Sequence, residues 1–142
     1  MKKKCPFCDK DIIKKQLVFE TENEYVISNI RPATKGQCLV IPKNHVSNIR
    51  DLSKNQTETL LKTVRAVSIK IKKNLKPNGF NYGFNESPVA GQAINHLHFH
   101  ILPRYKKDGL PEYHLFHRDN KKRNLKDGDL EKVVQDLRKV LK

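Results

Sequence analysis

Three histidines fall within five residues, in the run His96-Leu97-His98-Phe99-His100-Ile101-Leu102. Polar and apolar side chains alternate along it, as in a half-buried strand. Successive strand side chains point to opposite faces, so His96, His98 and His100 share one face and Leu97, Phe99 and Ile101 the other. Neighbouring imidazoles then stand about 6.6 Å apart, a spacing that suits a row of rings along a bound polyphosphate. Such a strand requires a sheet with an apolar core on one side and a polar site on the other. The competing reading is a polar face that carries histidine by accident. Three imidazoles on a half-buried strand are a poor choice for stability alone.

The rest of the chain supplies that sheet. Residues 17–20 and 25–29 read as short strands joined by a Glu-Asn-Glu turn. Residues 37–41 form a third strand, entered through Pro32-Ala33-Thr34-Lys35-Gly36 and ended by Pro42. Ser53, with Gln56 three residues on, opens a helix with a capping box. Leu60, Leu61, Val64, Val67, Ile71 and Leu75 recur along it at helical spacing, and Pro77-Asn78-Gly79 stops it. Residues 80–85 and 93–103 read as two further strands around a turn at 86–92. Leu130, Val133, Val134, Leu137, Val140 and Leu141 mark a second amphipathic helix. Strands without strict βα alternation predict an α+β domain on a mostly antiparallel sheet. Residues 106–126 are expected to gain order from a partner, a ligand or a second copy.

Composition sets the outer limits. The 142 residues fit one domain, with 37% hydrophobic residues for its core. No apolar run approaches the roughly 20 residues of a membrane span. The start, Met1-Lys2-Lys3-Lys4, is basic but lacks the apolar stretch of a signal peptide, so the expected location is the cytoplasm with no membrane partner. Twenty-nine Lys and Arg against fifteen Asp and Glu give a net charge of +14. That field attracts anions, nucleic acid among them, through the basic surface. A solvated lysine-rich surface is the plainer reading of the same number.

Two short segments carry further chemistry. In Asn85-Glu86-Ser87-Pro88-Val89-Ala90-Gly91-Gln92, Gly91 admits a positive φ and Gln92 offers both a donor and an acceptor beside the histidine row. Backbone N–H groups in such a turn can face phosphate oxygens. Cys5-Pro6-Phe7-Cys8 has two readings. A redox pair expects a strand before the motif and a helix after it, and only four residues precede Cys5. A metal site needs two more ligands. The third cysteine, Cys38, reads as a buried strand residue, and an odd count argues against a disulfide framework.

The pattern Asn-x6-Gln-x3-His-φ-His-φ-His-φ-φ, where φ is an apolar residue, follows a Leu39-Val40-Ile41-Pro42-Lys43-x-His45 segment. Together they resemble the histidine triad (HIT) superfamily over residues 5–104. The resemblance implies an antiparallel sheet of about five strands with two main helices, usually paired as a homodimer. Residues 1–105 would be the HIT domain with its N-terminal C-x-x-C, and 106–142 a basic tail with an amphipathic helix, part of the same unit. It implies a nucleotide hydrolase or nucleotidyl transferase that acts at the α-phosphate of nucleoside phosphoramidates or dinucleoside polyphosphates. The ligand would be a purine nucleotide or nucleotide conjugate. Carried over position by position, His98 is the nucleophile that forms a nucleotidyl-histidine, which water then cleaves. A neutral imidazole suits that role when its other nitrogen donates to a backbone carbonyl. His100 and Asn85 contact phosphate oxygens, Gln92 sits beside the scissile bridge, Asn29 holds the ribose hydroxyls, and Ile30 and Leu39 wall the base.

Some relatives of this kind bind a structural zinc, and the matching ligands here are Cys5, Cys8, His45 and His96. A Cys2His2 set suits tetrahedral Zn²⁺ with no open position. No organic cofactor is implied. The family usually has Gly-His where this chain has Gly36-Gln37, and Gln37 cannot exchange a proton near neutral pH. His117 and Arg118 receive no role. The alternative function is a nucleotide- or RNA-binding module of the same fold with little turnover, and a steep salt dependence would distinguish it.

Overall fold

The longest helix, α2 (Lys54–Leu75), begins at a full capping box. Ser53 Oγ accepts the Gln56 N–H at 3.1 Å, and Gln56 Oε1 accepts the Ser53 N–H at 2.8 Å. This satisfies two donors that the first turn leaves open. Leu60, Val64, Val67 and Ile71 bury one face of the helix. Lys76, in the left-handed conformation, and Pro77 end it. The computed structural model describes residues 4–112 and 125–142.

Five strands form one sheet: β1 (Leu17–Glu20), β2 (Glu24–Ser28), β3 (Cys38–Pro42), β4 (Gly79–Gly83) and β5 (Phe99–Arg104). Their order is β1-β2-β3-β5-β4, and every neighbouring pair is antiparallel. The central strand β3 is buried at all five positions because both sheet faces are covered. Cys38 and Val40 enter the larger core with α2, Ile101 and Leu137. Leu39 and Ile41 enter a second cluster with Phe7, Ile13 and Ile27. Leu137 comes from α3 (Asp127–Val140), so the C-terminal helix closes the same core.

The register places Phe99 opposite Val40 and His100 opposite Leu39. Opposed residues share a face, so β5 gives Phe99 and Ile101 to the larger core and His100 to the other side. Leu97 is buried in that larger core as well, so the expected alternation extends back to His96. The strand does not extend as far. Regular pairing begins at Phe99 rather than 93, because the Leu97 N–H donates to the Val46 carbonyl and the His96 N–H to the Ile94 carbonyl.

The sheet and the two long helices agree with the expected α+β HIT-like architecture. A third helix, α1 (Lys10–Gln16), is additional. Asp9 caps it by accepting the Asp11 and Ile12 N–H groups. Ile13 and Gln16 are its buried residues. The other strands shift by one or two residues: the first, at 17–20, stands as expected, while β2 starts at Glu24, β3 ends on Pro42 and β4 stops at Gly83. Glu24 is buried because its carboxylate accepts the hydroxyls of Thr21, Thr59 and Thr63, tying the sheet to α2. Most of the 106–126 segment, including His117 and Arg118, lies outside the described residues. Among the described residues, no helix is long and apolar enough to cross a membrane.

Candidate functional site

Two side-chain groups meet where the N-terminal turn crosses the end of β5. The first is Cys5, Cys8, His45 and His96, whose donor atoms all lie within 4.8 Å of one another. Cys5 Sγ is 3.4 Å and Cys8 Sγ 3.6 Å from His96 Nδ1, and Cys8 Sγ is 3.3 Å from His45 Nδ1. A tetrahedral zinc site, with bonds of about 2.3 Å to sulfur and about 2.0 Å to nitrogen, has edges of about 3.3–3.8 Å. Three of the donor–donor distances already match such edges, so the donor set suits a zinc-sized cation.

The hydrogen bonds agree with that fit. His96 is fully buried, and its Nε2–H donates to the Pro42 carbonyl at 2.8 Å. This fixes the tautomer and turns the Nδ1 lone pair toward the two sulfurs. Burial, and then the adjacent Cys5 thiol, push the Cys8 thiol up from its ordinary value. Two thiols this close resist carrying two negative charges until a cation joins them. The third thiol, Cys38, stands apart in the core, where burial pushes it to about 12.

The second group surrounds a cavity of about 380 Å³ lined by Phe7, Asn29, Ile30, Leu39, Gly91, Ile94, His98 and His100, among others. That size and mixture of apolar walls with a few polar groups is typical of a small-molecule site. His98 Nδ1–H donates to the His96 carbonyl at 2.8 Å, which leaves Nε2 as the nitrogen with a lone pair. Burial lowers the His98 pKa, opposed by that backbone hydrogen bond, so the ring is neutral near pH 7. The His100 ring lies 5.1 Å from it, centroid to centroid. Asn29, which lines the cavity, has its Oδ1 accepting the Arg31 N–H at 2.9 Å.

Asn85 and Gln92 do not line this cavity. Gln92 is buried, with Oε1 accepting the Ser87 N–H at 2.8 Å and Nε2 donating to the Ser47 carbonyl at 3.0 Å. It holds a tight turn in which Ser87 has φ +70° and Gly91 φ +96°. Glycine adopts such a φ freely, whereas serine there is strained. Glu86 fastens the same turn by accepting from the Ile49 N–H and Arg50. Gln37 is likewise engaged elsewhere. Its Oε1 accepts the Ala33 N–H at 2.7 Å, closing the loop before β3.

Phe7, Ile12, Gln16 and Ile94 line the cavity without having been singled out from the sequence. The one available signal was the phenylalanine between the two cysteines. Ile12 and Gln16 depended on recognising α1, which stands on a single Asp cap.

The chain matches the HIT domain family over residues 10–107, which begins after the Cys5–Cys8 turn. A solved hypothetical histidine triad nucleotide-binding protein from Sulfolobus tokodaii superposes with a TM-score of 0.76 at 30% identity, covering 96% of this chain and 91% of that one. A zinc-bound histidine triad family protein from Mycobacterium smegmatis gives a TM-score of 0.72 at 29% identity, covering 96% and 92%. Among curated proteins, the bis(5'-adenosyl)-triphosphatase of Saccharomyces cerevisiae is 31% identical over 101 residues, 70% of this chain and 49% of the enzyme.

Proposed function

The chain belongs to the HIT domain family, and on that premise we propose that it is a nucleotide hydrolase or nucleotidyl transferase using His98 as nucleophile. The substrates are nucleoside phosphoramidates or dinucleoside polyphosphates, with the purine between the apolar walls Ile30, Leu39 and Phe7 and the ribose at Asn29. The observation that carries this reading is the His98–His96 hydrogen bond, which commits Nδ1 as donor and leaves Nε2 to react. The names of the yeast triphosphatase and of the Sulfolobus nucleotide-binding protein point the same way.

In the first step Nε2 attacks the α-phosphorus, the P–N or P–O bond to the leaving group breaks as that group leaves with a proton from solvent or as the phosphate anion, and a nucleotidyl-histidine forms. In the second, water attacks phosphorus, and the P–N bond to His98 breaks. The nucleoside monophosphate leaves with its new oxygen, and the imidazole is restored. His100 donates to a non-bridging phosphoryl oxygen as charge builds there. Asn85 and Gln92 carry phosphate-side and bridge-side roles by family position. Gln92 keeps a second Nε2–H and a second Oε1 lone pair beyond its bonds to Ser87 and Ser47.

The reading includes a structural zinc on Cys5, Cys8, His45 and His96. When bound, the ion cross-links the N-terminal turn to the strand that bears the nucleophile. It also includes a homodimer. The edge strand β4 and α2 border an apolar groove of about 650 Å³ formed by Leu61, Val64, Ile69, Tyr82 and Phe99. Three of these, Leu61, Ile69 and Tyr82, are exposed large hydrophobic side chains.

Incubation with a panel of adenosine and guanosine phosphoramidates and dinucleoside polyphosphates, read by mass, tests the activity. Release of nucleoside monophosphate supports it. Binding without turnover across the panel would leave a nucleotide-binding module of the same fold.

A further inference from the structure

Cys5-Pro6-Phe7-Cys8 folds as a single tight turn, with the Cys8 N–H donating to the Cys5 carbonyl at 3.1 Å. Its two sulfurs reach His45 and His96, while the phenyl ring between them turns inward and is 4% exposed. Phe7 meets two imidazoles in T-shaped contact, with centroids 5.8 Å from His96 and 5.3 Å from His98, at interplanar angles of 84° and 66°. Both distances lie within the range of about 4.5–7 Å over which aromatic rings attract edge to face. On its other side, His98 is bonded to the carbonyl of His96, whose ring belongs to the metal-ligating set.

We propose that Phe7 is a positioning residue for His98: the Cys5–Cys8 clasp, when it holds a metal, wedges the phenyl ring against the imidazole and fixes the direction of Nε2. This rests on the proposed nucleophile and metal site. It adds that metal occupancy sets the orientation of the nucleophile and not only the stability of the fold. A carbonyl acceptor alone does not do this, because hydrogen-bond directions at carbonyl oxygens are broadly distributed. The phenyl ring packed against the imidazole removes the remaining freedom. The phenyl ring itself is packed with Ile13, Ile27, Leu39 and Ile41, and the Cys8 and Asp9 N–H groups close the turn. The two ends of the turn are held toward the histidines only by sulfur contacts of 3.3–3.6 Å to ring nitrogens, so losing the cation frees the ends of the turn that carries Phe7. A nucleophile displaced by about 1 Å loses about 100-fold in rate.

The full chain, labelled with ¹⁵N-histidine, tests this as zinc-loaded wild type, chelated wild type and zinc-loaded Phe7→Leu. Imidazole ¹⁵N–¹H correlation spectra report the His98 tautomer without any substrate, and kcat and KM are measured with adenosine phosphoramidate. The zinc-loaded wild type should show His98 as one Nδ1–H tautomer. Chelation and Phe7→Leu should each shift that signal toward an averaged one, and in the variant kcat should fall about tenfold or more while zinc stays at one per chain. A Phe7→Leu protein that keeps zinc, the wild-type His98 signal and the wild-type kcat would overturn the proposal. So would a chelated wild type that stays folded with an unchanged His98 signal. If chelation unfolds the chain, the zinc-loaded variant alone decides. Failure of the nucleophile reading shows separately, as absent turnover in wild type, while the spectra still report whether Phe7 holds the ring.

Discussion

His96 illustrates how much one residue can do at this site. Its Nε2–H is anchored on Pro42, its Nδ1 faces two thiols, and its carbonyl receives the His98 Nδ1–H. The three roles are compatible because each uses a different atom. Arg104 plays a comparable part at the far end of β5. Its guanidinium donates to both Asp108 oxygens, at 2.8 and 3.1 Å, and to Asn81 and the Leu110 carbonyl. That fork holds the Asp108 carboxyl well below the usual carboxylate range. A depressed carboxylate contributes stability above its unfolded pKa of about 3.9 and loses it as pH falls toward the folded value. The urea midpoint of the wild type should therefore drop more between pH 6 and pH 3 than that of Asp108→Asn. Equal drops in the two proteins would show that the pair does not contribute.

At the scale of elements, α2 should respond to its cap and the site should not. Ser53→Ala removes the acceptor for the Gln56 N–H and should cost about 1 kcal/mol in denaturant unfolding, with nucleotide binding unchanged. A loss of binding in that variant would mean that α2 is coupled to the cavity. The cap, the stripe of Leu60, Val64, Val67 and Ile71 and the stop at Pro77 are local signals legible in the sequence, whereas Leu61, expected on the same stripe, stands exposed. So was the alternation that sends Leu97 and Ile101 into the core and His98 and His100 into the cavity. The helix α1 was not legible. Seven residues with one buried isoleucine give too little periodicity, and its inner face is defined only by the sheet it covers. The pairing of Gln92 with Ser47 and Ser87 was hidden for a different reason. Ser47 is 45 residues away, and nothing local announces that the side chain turns from the cavity. The metal set was legible only through family likeness, because His45 and His96 have no sequence spacing relative to the cysteines that geometry alone would select.

At the scale of the whole molecule, the feature that bears on assembly is the apolar groove beside β4. Arg65, Lys72 and Lys73 rim the groove, and the sheet ends there in an edge strand. Edge strands are normally covered, charged or paired, and the proposed homodimer would place a second copy against this one. Light scattering should give twice the 16.5 kDa chain mass at micromolar concentration. Ile69→Lys should return it to the monomer, because burying a further cation beside Arg65, Lys72 and Lys73 in the interface is costly. A wild-type mass of one chain that does not change with concentration would contradict the dimer. The account as a whole depends on His98, and trapping the covalent intermediate tests it most directly. Rapid acid-free quench of wild type with labelled adenosine phosphoramidate, followed by peptide mapping, should find a base-stable, acid-labile nucleotidyl group on His98. His98→Ala should show no adduct and no turnover while staying folded and still binding AMP. An adduct on another residue, or a His98→Ala protein with full activity, would contradict the account.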